Sequence, residues 1–201
     1  MKRLMSAVSF IQQGIVAQYE FANILTLGTA GRLEAAAPLA DDERRDFEIH
    51  IKGDYLRSLA VQVKSARNLF SWEGHKYLRI RFAVASARVV NHPRSFYFFA
   101  HLDLHAMVFT EPVFLVPSVV VHGHARPIAG MRSAFLFAAN MDLGSRDKWS
   151  PYRLSIAEVG PAVLRVITGL PLRLQASSQV GGLTAMPGMV WAKQLPAKRA
   201  A

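Results

Sequence analysis

The stretch Arg45–Ser65 constrains the fold more than any other, because it alternates apolar and polar residues on both sides of a turn. Phe47, Ile49 and Ile51 alternate with Asp46, Glu48 and His50, the period of a half-buried strand. Gly53-Asp54 supplies turn chemistry, and the chain returns through Leu59, Val61 and Val63. On that return, Ala60, Gln62 and Lys64 share the opposite face. Pairing of the two strands would bring a carboxylate (Asp46), an amide (Gln62) and an ammonium (Lys64) to one side of a sheet. Burial of the apolar face would fix the register and hold the polar trio there.

The pattern Asp46 … Gln62-Val63-Lys64, with Val-Gln-Val-Lys-Ser-Ala as its most specific string, resembles the PD-(D/E)xK nuclease superfamily. That superfamily includes many restriction endonucleases and archaeal Holliday-junction resolvases. Two positions depart from its pattern. Arg45 stands where Pro often precedes the Asp, and Gln62 replaces the usual acid, as in some branches. The resemblance implies an α/β fold, a restriction-endonuclease-like core whose central mixed β-sheet is flanked by α-helices. It also implies hydrolysis of DNA phosphodiester bonds with Mg²⁺ or Mn²⁺. In that reading Asp46 anchors the metal, Gln62 adds a neutral carbonyl oxygen, and Lys64 orients the attacking water or stabilises charge on the phosphate. A first-helix acid often completes such a site, and Glu20 stands in that position. The chemistry asks for these types: a divalent ion polarises a phosphoryl oxygen and acidifies water, and Mg²⁺ takes only one or two protein carboxylates. A strand-entrance Asp and a strand-end Lys are also ordinary in any sheet protein.

The rest of the chain is read around this hairpin. Residues 1–170 form the expected nuclease-like α/β domain, and 171–201 a basic tail or accessory hairpin. A first helix is expected from Ser6 to Leu27, burying Val8, Ile11, Ile15, Tyr19, Ala22 and either Leu25 or Thr26. Residues 68–74 read as a loop and Lys76–Val84 as a strand, with Leu78, Ile80 and Phe82 opposite Tyr77, Arg79 and Arg81. Phe96–Ala100 reads as a central strand covered on both faces. Val113–Val116 and Ala134–Ala138 read as further strands, the latter also fitting a short helix. Residues 83–90 fit a helical turn. A closing helix over Ser155–Thr168 is announced by Ser155 with Glu158 three residues on.

A formal net charge of +10 favours a polyanionic partner, nucleic acid before an anionic membrane surface. Arg67, Lys76, Arg79 and Arg81, with Trp72 and Tyr77, fit a surface that grips a backbone and stacks bases. They fit an ordinary basic face equally well. No apolar run has the length of a membrane span, and no membrane partner is expected. Met1-Lys2-Arg3 and the apolar residues after them imitate a signal peptide, but Gln12 and Gln13 break the run and the segment reads as part of the fold. The absence of cysteine excludes a thiolate metal site, a disulfide framework and a cysteine nucleophile, and it is compatible with a reducing, cytoplasmic setting. Two cuts in a duplex would call for a homodimer.

Two other readings stay open. A degenerate module on the same fold would bind nucleic acid without cleaving it, which Gln62 makes plausible. Alternatively, His101-Leu102-Asp103-Leu104-His105 and His122-Gly123-His124 have spacings that can align imidazoles toward a transition metal. Ordinary strand and turn histidines account for the same spacing. Zincin, nucleophile-elbow, phosphate-loop and dinucleotide signatures are absent from the sequence.

Overall fold

The computed structural model describes residues 8–39, 45–86, 89–128 and 132–170. The chain divides between Met1–Pro171 and Leu172–Ala201, and the expected basic tail lies outside the described residues. Within the first unit the order is helix α1 (Phe10–Gly28), strands β1 (Leu33–Ala36), β2 (Phe47–Ile51), β3 (Asp54–Ala66), β4 (Phe70–Trp72) and β5 (His75–Ala85). Then follow β6 (Ser95–Asp103), β7 (Val108–Pro117), the short helix α2 (Ser118–His122), β8 (Arg126–Ile128), β9 (Arg132–Asn140), β10 (Arg153–Leu154) and helix α3 (Ile156–Gly169).

The strands form a six-stranded sheet, in order β1-β2-β3-β6-β7-β10, and a four-stranded sheet, β4-β5-β9-β8. The larger sheet is mixed, because β3 and β6 run parallel while the other pairs are antiparallel. Helices α1 and α3 cover one of its faces. The second sheet and α2 cover the other, so this is an α/β protein built in three layers around a central mixed sheet.

Alternation along β3 and β6 divides the core in two. Leu59, Val61, Val63, Phe96 and Phe98 pack toward the helices, against Ala17, Phe21 and Val163 among others. Tyr97 and Phe99 face the second sheet and meet Leu78, Ile80, Phe135 and Phe137. Phe99 stacks on Phe137 with ring centroids 4.0 Å apart. The expected central strand is therefore covered twice, with Phe98, Phe99 and Ala100 wholly buried.

Helix α1 begins at Phe10, later than expected, because Ser9 caps it. The Gln12 N–H donates to Ser9 Oγ at 3.2 Å, and the Ser9 N–H donates to Gln12 Oε1 at 2.9 Å. Its buried stripe also differs. Gln13, Ala17, Phe21, Ile24 and Leu25 face the sheet, whereas Ile11 and Tyr19 are 78% and 71% exposed. The helix carries apolar residues on two faces, and Phe21 decides between them by packing on Phe98 and Phe47, at 4.7 and 5.8 Å between centroids.

The end of α1 crosses α3 closely. A Cβ on Gly160 would lie 2.8 Å from Thr29 Cγ2 and 3.1 Å from the Gly28 carbonyl carbon, so only glycine lets the helices approach this far. At the start of α3 the Glu158 carboxylate accepts from the Ser155 N–H and hydroxyl, both at 2.8 Å, as the Ser-x-x-Glu pattern predicts.

Two expectations for the second sheet are corrected. Residues 68–74 include strand β4, paired with β5 across Glu73-Gly74, whose φ values of 48° and 79° are both in the left-handed region of a primed hairpin turn. Residues 83–85 continue β5 as strand rather than turning helical, because they pair with Ala134, Ser133 and Arg132 of β9. Ala134–Ala138 is accordingly strand and not helix.

Candidate functional site

The hairpin forms in the expected register, with Phe47 opposite Val61 and Ile49 opposite Leu59. Gly53 makes the turn at a φ of 81°. Asp46 lies just ahead of β2, and its N–H donates to the Val61 carbonyl at 3.0 Å, which prolongs the pairing by one residue. Its carboxylate is held at two points. Oδ2 accepts from the Val63 N–H at 2.6 Å, and Oδ1 accepts from Gln18 Nε2 of α1 at 2.8 Å. The carboxylate is thus bonded to the residue between Gln62 and Lys64, at the edge where the sheet meets the first helix. Hydrogen bonds to an ionised acceptor are the strong kind, and two of them fix its orientation.

Gln62 and Lys64 project to the other face of β3, beside Tyr97 and Phe99 of β6. Gln62 is buried, at 8% exposure. Lys64 is half-buried, and its Nζ stands 5.8 Å from the centroid of the Phe82 ring on β5. Phe82 in turn stacks on Phe135 at 5.0 Å and lies 5.4 Å from Tyr97. The ammonium is therefore set in an aromatic wall, where electrostatic forces are stronger than in water.

Glu20 is half-buried on α1. Two residues beyond Gln18, it points about 200° further round the helix axis, so the helix side chain that reaches Asp46 is Gln18. Gln13 also reaches β3, donating from Nε2 to the carbonyl and the hydroxyl of Ser65 at 3.0 Å each. Sequence reasoning missed both glutamines. The signal was there in the alternative apolar phase of α1, since a stripe through Ala17, Phe21 and Ile24 carries Gln13 in line with it and Gln18 at its margin.

Mg²⁺ takes only one or two protein carboxylates, and Asp46 offers one beside α1, whereas Gln62 and Lys64 lie on the face toward the second sheet, so the fold does not set the three on one side as the alternation predicted. Among the described residues there is no cluster of three or more His, Asp or Glu side chains able to hold a metal ion.

The histidines disperse. His101 Nδ1 lies 2.7 Å from Thr110 Oγ1 and its Nε2 3.3 Å from the Arg67 carbonyl. Burial lowers its pKa; the Arg67 carbonyl and Asp103 oppose that, and the Lys76 charge adds to it. The His105 N–H donates to Asp103 Oδ1 in a turn. His122 Nε2 lies 3.0 Å from the Tyr97 hydroxyl, and burial lowers its pKa too. His124 stands edge-on to Trp149, 5.4 Å between centroids.

The expected basic residues separate into two groups. Arg67 serves the helix start, donating from Nη1 to the Val8 carbonyl at 3.0 Å and lying over the Phe10 ring at 5.0 Å. Lys76 is exposed near His101. Arg79 and Arg81 are exposed on the outer face of β5, away from Leu78 and Ile80. Arg79 lies 5.1 Å over the Phe70 ring.

No protein-family model and no curated protein sequence matches the chain. Among solved structures it is similar to a bacterial homing endonuclease, I-Ssp6803I, at 15% sequence identity and a TM-score of 0.47, over 80% of this chain and 97% of that one. A likeness of this size carries no argument about what the residues do. Among the described residues, no helix is long and apolar enough to cross a membrane.

Proposed function

We propose that this chain is a metal-dependent endonuclease that hydrolyses DNA phosphodiester bonds, in the manner of the PD-(D/E)xK enzymes. The observation that carries the reading is the bond from the Val63 N–H to Asp46, which ties the carboxylate to the strand segment bearing Gln62 and Lys64. Asp46 would anchor Mg²⁺ or Mn²⁺, with Gln62 meeting the ion at the edge of β3 rather than from the same face, and the ion when bound supplies polarisation of a phosphoryl oxygen and acidification of water. Asp46 contributes a fixed negative charge. Gln62 contributes a neutral oxygen, which leaves the site one charge poorer than one built on two acids and weakens its affinity for the ion. Lys64 offsets charge that develops on the phosphate and orients the water. Glu20 is the outlying acid of the proposal, with a smaller part than Asp46. Arg79 and Arg81 would grip the substrate backbone.

The test is cleavage of plasmid and branched DNA with Mg²⁺ or Mn²⁺ by the native protein, Asp46→Ala and Lys64→Ala, with folding checked by circular dichroism. Loss of about a hundredfold or more in both folded variants is the expected result. A second reading, a nucleic-acid-binding module without cleavage, is favoured by Gln62 standing where an acid is usual and by the absence of an acidic or histidine cluster among the described residues. DNA binding by a native protein that cleaves none of these substrates would establish that reading instead.

A further inference from the structure

We infer that the outer face of the four-stranded sheet is a trough for unstacked nucleotides of a single DNA strand. Alternation places Tyr77, Arg79 and Arg81 of β5 on this face, and register sets Ala138 and Leu136 of β9 beside the two arginines. Phe70, opposite Tyr77, and Trp72 of β4 form one wall. Phe70, Trp72 and Leu136 are 42%, 58% and 46% exposed. Two concavities of about 340 and 630 Å³ share Arg79, Leu136 and Ala138, so they run on from the Trp72 end to His124 and Lys148.

Chemistry narrows the occupant. Among the described residues, the trough lining carries Arg79, Arg81 and Lys148 and no acidic side chain, so it complements a polyanion. Alanines at 134 and 138 keep the floor low between taller walls, which admits a chain rather than a flat surface. Exposed aromatic faces at Trp72 and Phe70 provide stacking area for bases, and a duplex hides its base faces in its own stack. A single strand supplies what this face can bind: phosphates to the arginines and bases to the rings. The inference rests on the nucleic-acid substrate proposed above, but not on the residues proposed to cleave it.

The experiment is fluorescence anisotropy of a labelled oligothymidylate and of a blunt duplex of equal length, with chelator present so that no cleavage intervenes. Native protein should bind the single strand more tightly, with quenching of tryptophan emission. Trp72→Ala should weaken strand binding about tenfold or more. Arg79→Gln and Arg81→Gln should each reduce the slope of log affinity against log salt by about 0.7. Should Trp72→Ala fail to fold, the exposed Arg79 carries the test. Unchanged strand affinity and salt slope in the folded trough variants, or duplex preferred by the native protein, would overturn the trough. Cleavage that survives with no effect of the trough variants would remove this inference and leave the nuclease; strand binding through the trough without any cleavage would do the reverse.

Discussion

The two sheets of this protein have nearly opposite relations to water. Among the described residues, the six-stranded sheet is covered on both faces, by helices and by the second sheet, while the four-stranded sheet is covered on one face only. The strands of the first therefore carry apolar residues on both sides, as Phe98 and Phe99 do. Those of the second alternate buried Leu78 and Ile80 with exposed Arg79 and Arg81. A covered sheet can hold a carboxylate, an amide and an ammonium in fixed positions, since its packing and hydrogen bonds leave them few alternatives. An open face can accept a large ligand without first giving up its own contacts. The proposed cleavage site and the proposed trough fall on these two different settings.

The sharpest way to break the comparison is to cut into the double cover. Phe99→Ala removes a ring packed against Phe137 and should cost about 3–5 kcal/mol, read by urea denaturation. Next comes Asp46→Ala. It leaves the Val63 N–H and the Gln18 amide without their acceptor, at about 1–3 kcal/mol; Asp46→Asn, which keeps one acceptor oxygen, should cost less. Gln18→Ala should lower cleavage more than Glu20→Ala does if orientation of Asp46 matters more than a second acid, and the two rates can be compared directly.

A smaller effect concerns pH. Burial lowers the His122 pKa from the usual 6.5, so the unfolded chain takes up its proton more readily than the folded one. Stability is then greatest above about 6.5 and falls as pH drops from there toward the folded value. His101 acts in the same sense. The unfolding midpoint should be lower at pH 5.5 than at 7.5, and His122→Phe should flatten part of that difference. The smallest effect is on the open face: Trp72→Ala and Leu136→Ser should each change stability by under about 0.5 kcal/mol. A loss as large as that of Phe99→Ala would show that the outer face is covered after all.

What the sequence revealed depended on how singular each signal was. The β2–β3 hairpin was legible because strict alternation and one turn glycine agree, and a slip of one residue would bury Glu48 and expose Ile49. The α3 start was legible from Ser155 and Glu158. The phase of α1 was not, because Ile11, Ile15 and Tyr19 make as good a stripe as Ala17, Phe21 and Ile24. Only the sheet beneath selects the second, with polar Gln13 accepted into the buried face by Ser65. Gln18 was hidden by the same ambiguity. Strand β4 was missed because Phe70–Trp72 is too short to show a period, although Glu73-Gly74 marked its turn.

The parallel pairing of β3 with β6 has a consequence for how the molecule assembles. The chain between them is not a crossover helix but the β4–β5 hairpin, whose other partner, β9, is made only after β6 and β7. As the chain leaves the ribosome, β6 can cover Leu78 and Ile80 first, but the edge of β5 waits for its partner until the segment from 132 to 140 arrives. Pairings so distant in sequence are slow to form, and an unpaired strand edge is a hazard in that interval. Arg79 and Arg81, interleaved with Leu78 and Ile80, put charge on that strand, the kind of residue that blunts an edge against stray pairing.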